Sequence, residues 1–256
     1  MLLRAAPLPR EQIPALDTPA GVEFVRALVR DAFERVRAAR AAPKKDLTRQ
    51  VKYGAAPSRE AGRLGACRWH TRVSEHGVPF ETMRAGLLTD HTAHEREYID
   101  ALREATCIEA LAPGVGIWHL AYATPWPTAS RDFCELVAAL PLPAHTEPFS
   151  PAHEAAALAG DLFTEPPPPP GAHRAFLVIS QPVAVAAAPH APGHVRAYYA
   201  SVEAVCEAPG GIEWLMSVQT DSAGLVPHFV QELAMPRQIA ADVSSYFEWT
   251  TRLQTK

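Results

Sequence analysis

Ile212, Trp214, Met216, Val218 and Thr220 alternate with Glu213, Leu215, Ser217 and Gln219, the period-two pattern of a half-buried strand. Turn residues Asp221, Ser222, Ala223 and Gly224 break the pattern, and Pro227 suits the first turn of a helix. Beyond it Phe229, Leu233, Ala240, Val243, Phe247 and Thr250 recur at helical spacing and predict one apolar face. The same reading gives a helix over Val22–Arg40, with Val22, Val25, Leu28, Val29, Phe33 and Val36 on one side. Strands are predicted near Leu47–Lys52, Cys67–Ser74, Val115–Tyr122, Arg131–Leu140, Phe176–Gln181 and Val195–Cys206. Pro79 opens a helix through Phe80, Met83 and Leu87, and another spans about Thr92–Leu102. Many strands, few helices and a long helical end predict an α+β fold with an antiparallel sheet.

Two segments fall outside this periodicity. Residues 1–20, with Pro7, Pro9, Pro14 and Pro19, read as a flexible N-terminal lead to a single domain over 21–256. Residues 141–172 read as a proline-rich, mobile insertion between two hairpin strands. The run Pro166–Pro170 favours extended polyproline II and cannot join a sheet.

Composition narrows the function classes. A net charge of −4 with scattered Lys and Arg provides no basic stripe, so nucleic acid is not an expected partner. Cys67, Cys107, Cys134 and Cys206 show no paired spacing and read as reduced thiols. Met1-Leu2-Leu3-Arg4 lacks the apolar run of a signal peptide, and no apolar stretch of about 18 residues follows; a cytoplasmic protein is expected.

Motifs for chemistry are sparse. His91-x-x-His94-Glu95 is neither of the zincin patterns, and no distant third ligand can be named from the sequence, so no metal is expected. There is no Gly-x-Ser-x-Gly elbow, P-loop or dinucleotide glycine pattern, and no cofactor is implied. Adjacent Arg131 and Asp132 must face opposite sides of their strand, either reaching into an interior or fixing the start of the strand.

Ser130-Arg131-Asp132-Phe133-Cys134-Glu135-Leu136-Val137, followed by three strands and the terminal helix, resembles START (steroidogenic acute regulatory protein-related lipid transfer) domains. Trp69-His70-Thr71-Arg72-Val73-Ser74-Glu75-His76 and Asp90–Tyr98 are similar to an uncharacterised START-like family found in fungi. The resemblance covers roughly residues 24–253. It implies a helix-grip fold, in which a curved sheet wraps a long C-terminal helix around a cavity for a lipid, sterol or other hydrophobic small molecule. Transient contact with a membrane surface would accompany transfer. Trp69, Trp118, Tyr122, Phe133, Val137, Tyr198, Trp214, Met216, Phe229 and Leu233 are the expected ligand-lining residues, with His119, Arg131 and Glu135 as polar cavity groups. Some sterol-binding relatives place an arginine where this chain has Val137, which implies a more apolar pocket here. Non-catalytic binding is the leading reading. One alternative is a polyketide cyclase-like enzyme using His119, Arg131 and Glu135, with His70 more distant. The other is a protein-interaction module with a filled core.

Overall fold

Eleven strands hydrogen-bond into one sheet among the described residues. They are β1 (Leu8–Pro9), β2 (Lys45–Asp46), β3 (Val51–Gly62), β4 (Gly65–His76), β5 (Leu102–Ala112), β6 (Val115–Tyr122), β7 (Arg131–His145), β8 (His173–Ala184), β9 (Val195–Arg196), β10 (Tyr198–Ala208) and β11 (Gly211–Asp221). The helices are α1 (Pro19–Ala41), α2 (Phe80–Met83), α3 (His91–Tyr98), α4 (Pro151–Ala159) and α5 (His228–Gln254), with a π-turn at Arg84–Leu88. This computed structural model describes residues 2–48, 50–62, 65–124, 128–186, 188–223 and 228–255, without the side chains of 58–62, 65–67, 228–231 and 254.

Strand order is β2-β3-β4-β11-β10-β8-β7-β6-β5, with every neighbouring pair antiparallel. Short β1 and β9 add in parallel to β8 and β7. Period-two alternation sends one set of side chains to each face. Val202, Leu215, Ile179 and Ala138 meet Val25, Leu28, Val29, Phe33 and Val36 of α1 in one apolar layer. Phe176, Val178, Val205 and Trp214 occupy the opposite face and meet Val243, Tyr246 and Trp249 of α5, together with Phe80, Met83, Leu87 and Tyr98. The sheet is curved around α5, a helix-grip α+β fold. Gly86 lets the two layers of cover close up, since a Cβ there would lie 2.5 Å from the Tyr246 hydroxyl.

Four expectations are corrected. The lead at 1–20 packs against the body: Leu3, Ala5, Leu8, Ile13 and Leu16 are buried, and the Leu2 and Leu3 amides bond Asp31. Its apolar residues, spaced between prolines, find the edge of the α1 layer. The segment 141–172 is built into the fold as well. β7 continues to His145, and α4 follows with Ser150 accepting from the His153 amide as N-cap. Phe149 and Leu162 are buried, and the Phe149 ring lies 5.5 Å from that of Phe33. The helix expected over Thr92–Leu102 stops at Tyr98, because Leu102 begins β5, whose exposed charged positions hide its period. The buried face of α5 runs through Met235, Ile239, Val243, Tyr246 and Trp249, which leaves Leu233 on the far side, 75% exposed.

Candidate functional site

The inward face, beneath α5 and α3, carries both groups that the site requires. Trp118 and Tyr122 of β6, Phe133 of β7, Tyr199 of β10 and Met216 of β11 point to it and keep partly exposed surface. Tyr122 and Phe133 meet edge to face at 5.4 Å, and Phe133 meets Tyr199 at 5.2 Å. Val137 and Trp214 share the face but are buried in the core.

The structure separates other expected lining residues from this group. Trp69 faces α1, where the Arg35 guanidinium sits 5.2 Å from its ring centroid. Tyr198 is in register with Asp221, so it points away while its neighbour Tyr199 points in. His119 also lies on the α1 side, bonded to Asp132 at 3.1 Å. Phe229 has its side chain outside the described residues, as does the turn at Gly224. Leu233 faces outward.

Arg131 has the inward parity, yet its Nε donates to the Ser222 carbonyl at 2.7 Å and its Nη1 to that of Ala129. It ties the start of β7 to the end of β11. Asp132, on the opposite face, accepts from Arg196, His119 and the Ala191 amide. Burial alone would raise this carboxyl; those bonds outweigh burial and hold it well below the usual range. Glu135 is the expected polar group that does lie inward. Neither of its carboxylate oxygens has a hydrogen-bond partner among the described residues. Burial pushes it well above the ordinary range, against weaker opposition from the Tyr199 backbone and Arg196.

A larger polar cluster sits at the centre of the same face. Arg72 of β4 is 0% exposed, with none of its three guanidinium nitrogens hydrogen-bonded among the described residues. Its guanidinium lies 3.9 Å from the Trp214 ring centroid, and Nη2 is 3.7 Å from Oε2 of Glu203. Trp214 Nε1 donates to that same oxygen at 2.7 Å. From the helices come His91, Glu95 and Asp242. Burial pushes Glu95 up to about 8, with Glu203 adding to the shift. Burial likewise lifts Asp242 to about 7, Arg72 pulling against it and Glu203 and Glu95 reinforcing it. Burial lowers His91 and Arg72 from their ordinary values. The strand pattern held a signal for two of these residues. Arg72 and Glu203 share inward parity with Trp214 and Met216, and a charge at such a position needs a buried partner.

The outer part of α5 is tied down separately. Glu232 Oε2 lies 3.2 Å from His70 Nε2, whose Nδ1 meets the Tyr53 hydroxyl at 2.7 Å.

Comparison with known proteins places the chain. The family described as "Protein of unknown function (DUF3074)" matches residues 69–250. The chain belongs to that family. An uncharacterized protein of Schizosaccharomyces pombe is 24% identical over 192 residues, which span 72% of this chain and 68% of the relative. Among solved structures, human StAR-related lipid transfer protein 5 matches with a TM-score of 0.68 at 12% identity, over 93% of this chain and 100% of that one. Human STARD10 matches at 0.61 and 15% identity, over 87% and 81%. A STAR-related lipid transfer protein from Xanthomonas axonopodis matches at 0.57 and 12% identity, over 82% and 98%. This DUF3074 chain therefore has the START fold. Among the described residues, no helix is long and apolar enough to cross a membrane.

Proposed function

We propose that the protein binds a lipid or another hydrophobic small molecule, without chemistry, in a cavity between the inward sheet face and helices α3 and α5. One observation carries this reading. Trp118, Tyr122, Phe133, Tyr199 and Met216 retain accessible surface although they lie on the covered face of the sheet. A solidly packed interior leaves large side chains no such surface. The fold supports the reading too, since the similar solved structures carry lipid transfer in their names. Apolar burial suffices as a driving force: ~400 Å² at about 25 cal/mol per Å² gives ~10 kcal/mol gross, less the costs of ordering.

The cyclase-like alternative loses its expected trio, because His119 lies across the sheet from Glu135. Native mass spectrometry of purified protein, followed by organic extraction, tests the binding reading; a co-purified amphiphile is expected. Met216→Trp then separates cavity from core. It should block the ligand and leave the melting temperature nearly unchanged. Destabilisation by ~1–3 kcal/mol through overpacking, with nothing in the extract, would mean a filled interior and defeat the proposal.

A further inference from the structure

We propose that His91, Glu95 and Glu203 form a binding site for one divalent first-row metal ion. The inference stands apart from the lipid-binding reading and uses different residues. His91 and Glu95 are one helical turn apart on α3, and the third ligand that the sequence could not supply arrives from β10 as Glu203. One ligand atom from each of the three lies within 4.8 Å of the others.

The imidazole is already set for the task. His91 Nδ1 is 2.8 Å from the Leu87 carbonyl, to which it must donate its proton. That bond fixes the tautomer and leaves a lone pair on Nε2, the arrangement that orients metal-binding histidines. Nε2 faces Glu95 Oε2 at 3.6 Å, a gap longer than a hydrogen bond, and once Glu95 is ionised two acceptor atoms confront each other across it. A cation between them satisfies both. Metal–nitrogen and metal–oxygen bonds of about 2.0–2.2 Å need only a modest closure of this gap. Glu203 is held in place through Oε2, which receives Trp214 Nε1 and faces Arg72.

Charge supplies a second argument. Glu95, Glu203 and Asp242 bring three carboxyls to the cluster against the single guanidinium of Arg72; one divalent ion, displacing the protons that burial otherwise keeps on Glu95 and Asp242, makes the sum zero. Arg72 adds a third argument. Its buried nitrogens, 3.7 Å or more from Glu203 Oε2, have no hydrogen-bond partner among the described residues, and an oxygen held at an open position of the metal would provide an acceptor. One imidazole with two carboxylates suits zinc, manganese, iron(II) or cobalt. His94, the other imidazole of the sequence motif, packs at 5.1 Å from the Trp249 ring and takes no part.

The test uses the full chain, stripped with EDTA and dialysed, then titrated with Co²⁺ and Zn²⁺ by calorimetry, with Co²⁺ followed by visible absorption. Expected are one equivalent, d–d bands of low coordination number and a raised melting temperature. Glu95→Gln and Glu203→Gln should each weaken binding by at least about 10-fold, while His94→Ala leaves it unchanged. Circular dichroism confirms the fold; if Glu203→Gln fails to fold because buried Arg72 loses the charge that faces it, Glu95→Gln alone decides. No uptake at millimolar metal would overturn the proposal. So would uptake with equal affinity in Glu95→Gln, because it would assign the ion to other histidines among the 11 in the chain.

Discussion

His153 shows how single side chains set the acid limit of this fold. Its Nδ1 accepts the Phe149 amide proton at 2.9 Å, so Nε2 carries the proton that goes to the Pro143 carbonyl at 2.8 Å. The ring is neutral, and burial lowers it to about 4. His76 is lowered to about 4 as well, first by burial and then by the charge of Arg72. Both folded values lie below the ordinary 6.5, so the unfolded chain takes up protons first as pH falls. Their contribution is complete above pH 6.5 and is lost progressively towards pH 4. Glu95 and Asp242, raised by burial, act with the opposite sign over the same range, so the contribution is read as a difference: as pH falls from 6.5 to 4, the midpoint of the parent should drop relative to that of His153→Gln. An equal pH dependence in the two proteins would contradict the assignment of a neutral imidazole to His153.

α4 and the segment around it show what an element can conceal from its sequence. Phe149→Ala should cost about 3–5 kcal/mol in urea unfolding, since it empties the space between Phe33 and His153. Replacing residues 146–172 by a short turn should likewise destabilise the fold; an unchanged midpoint would mean that α4 contributes nothing to the α1 layer. Leu233→Ala should stay within about 0.5 kcal/mol of the parent, as expected for a surface position. β11 was legible by its alternation, and β6 and β7 as apolar runs flanked by turns. β5, α4 and the lead were not. Prolines mask the buried Phe149 and Leu16 by composition, and β5 is too exposed for its apolar positions to repeat. The site was half legible. Aromatics near the inward face could be listed, but parity alone does not say which face is inward, and Trp69, Tyr198 and His119 fell on the other side. The cluster of Arg72, Glu203 and Glu95 joins distant segments, a coincidence that only the strand register reveals.

For the molecule as a whole, α5 is both wall and cover, and its two halves are held differently. Val243, Tyr246 and Trp249 anchor the distal half in the core, whereas the proximal half rests on Met235, Ile239 and the contact of Glu232 with His70. Pro236 lies within the proximal half and removes one helical hydrogen bond. Glu232→Ala should therefore speed release of a bound fluorescent lipid while the melting temperature falls little; an unchanged release rate would exclude this contact as a latch. The sheet itself never closes into a barrel, so it has two borders. One ends in the two-residue β2, which carries Lys45 and follows Lys44. The other is β5, eleven residues long, with three shifts of register and with Arg103, Glu104 and Glu109 along it. Arg10 clamps Glu109 through two bonds of 2.8 and 2.6 Å. Irregular, charged borders deny a second copy a straight template on which to add a strand. Replacing Glu104 and Glu109 by valine should thus leave the fold intact and make the protein self-associate with rising concentration, visible as growing mass in light scattering: two side chains at one border would then separate a single copy from a growing stack.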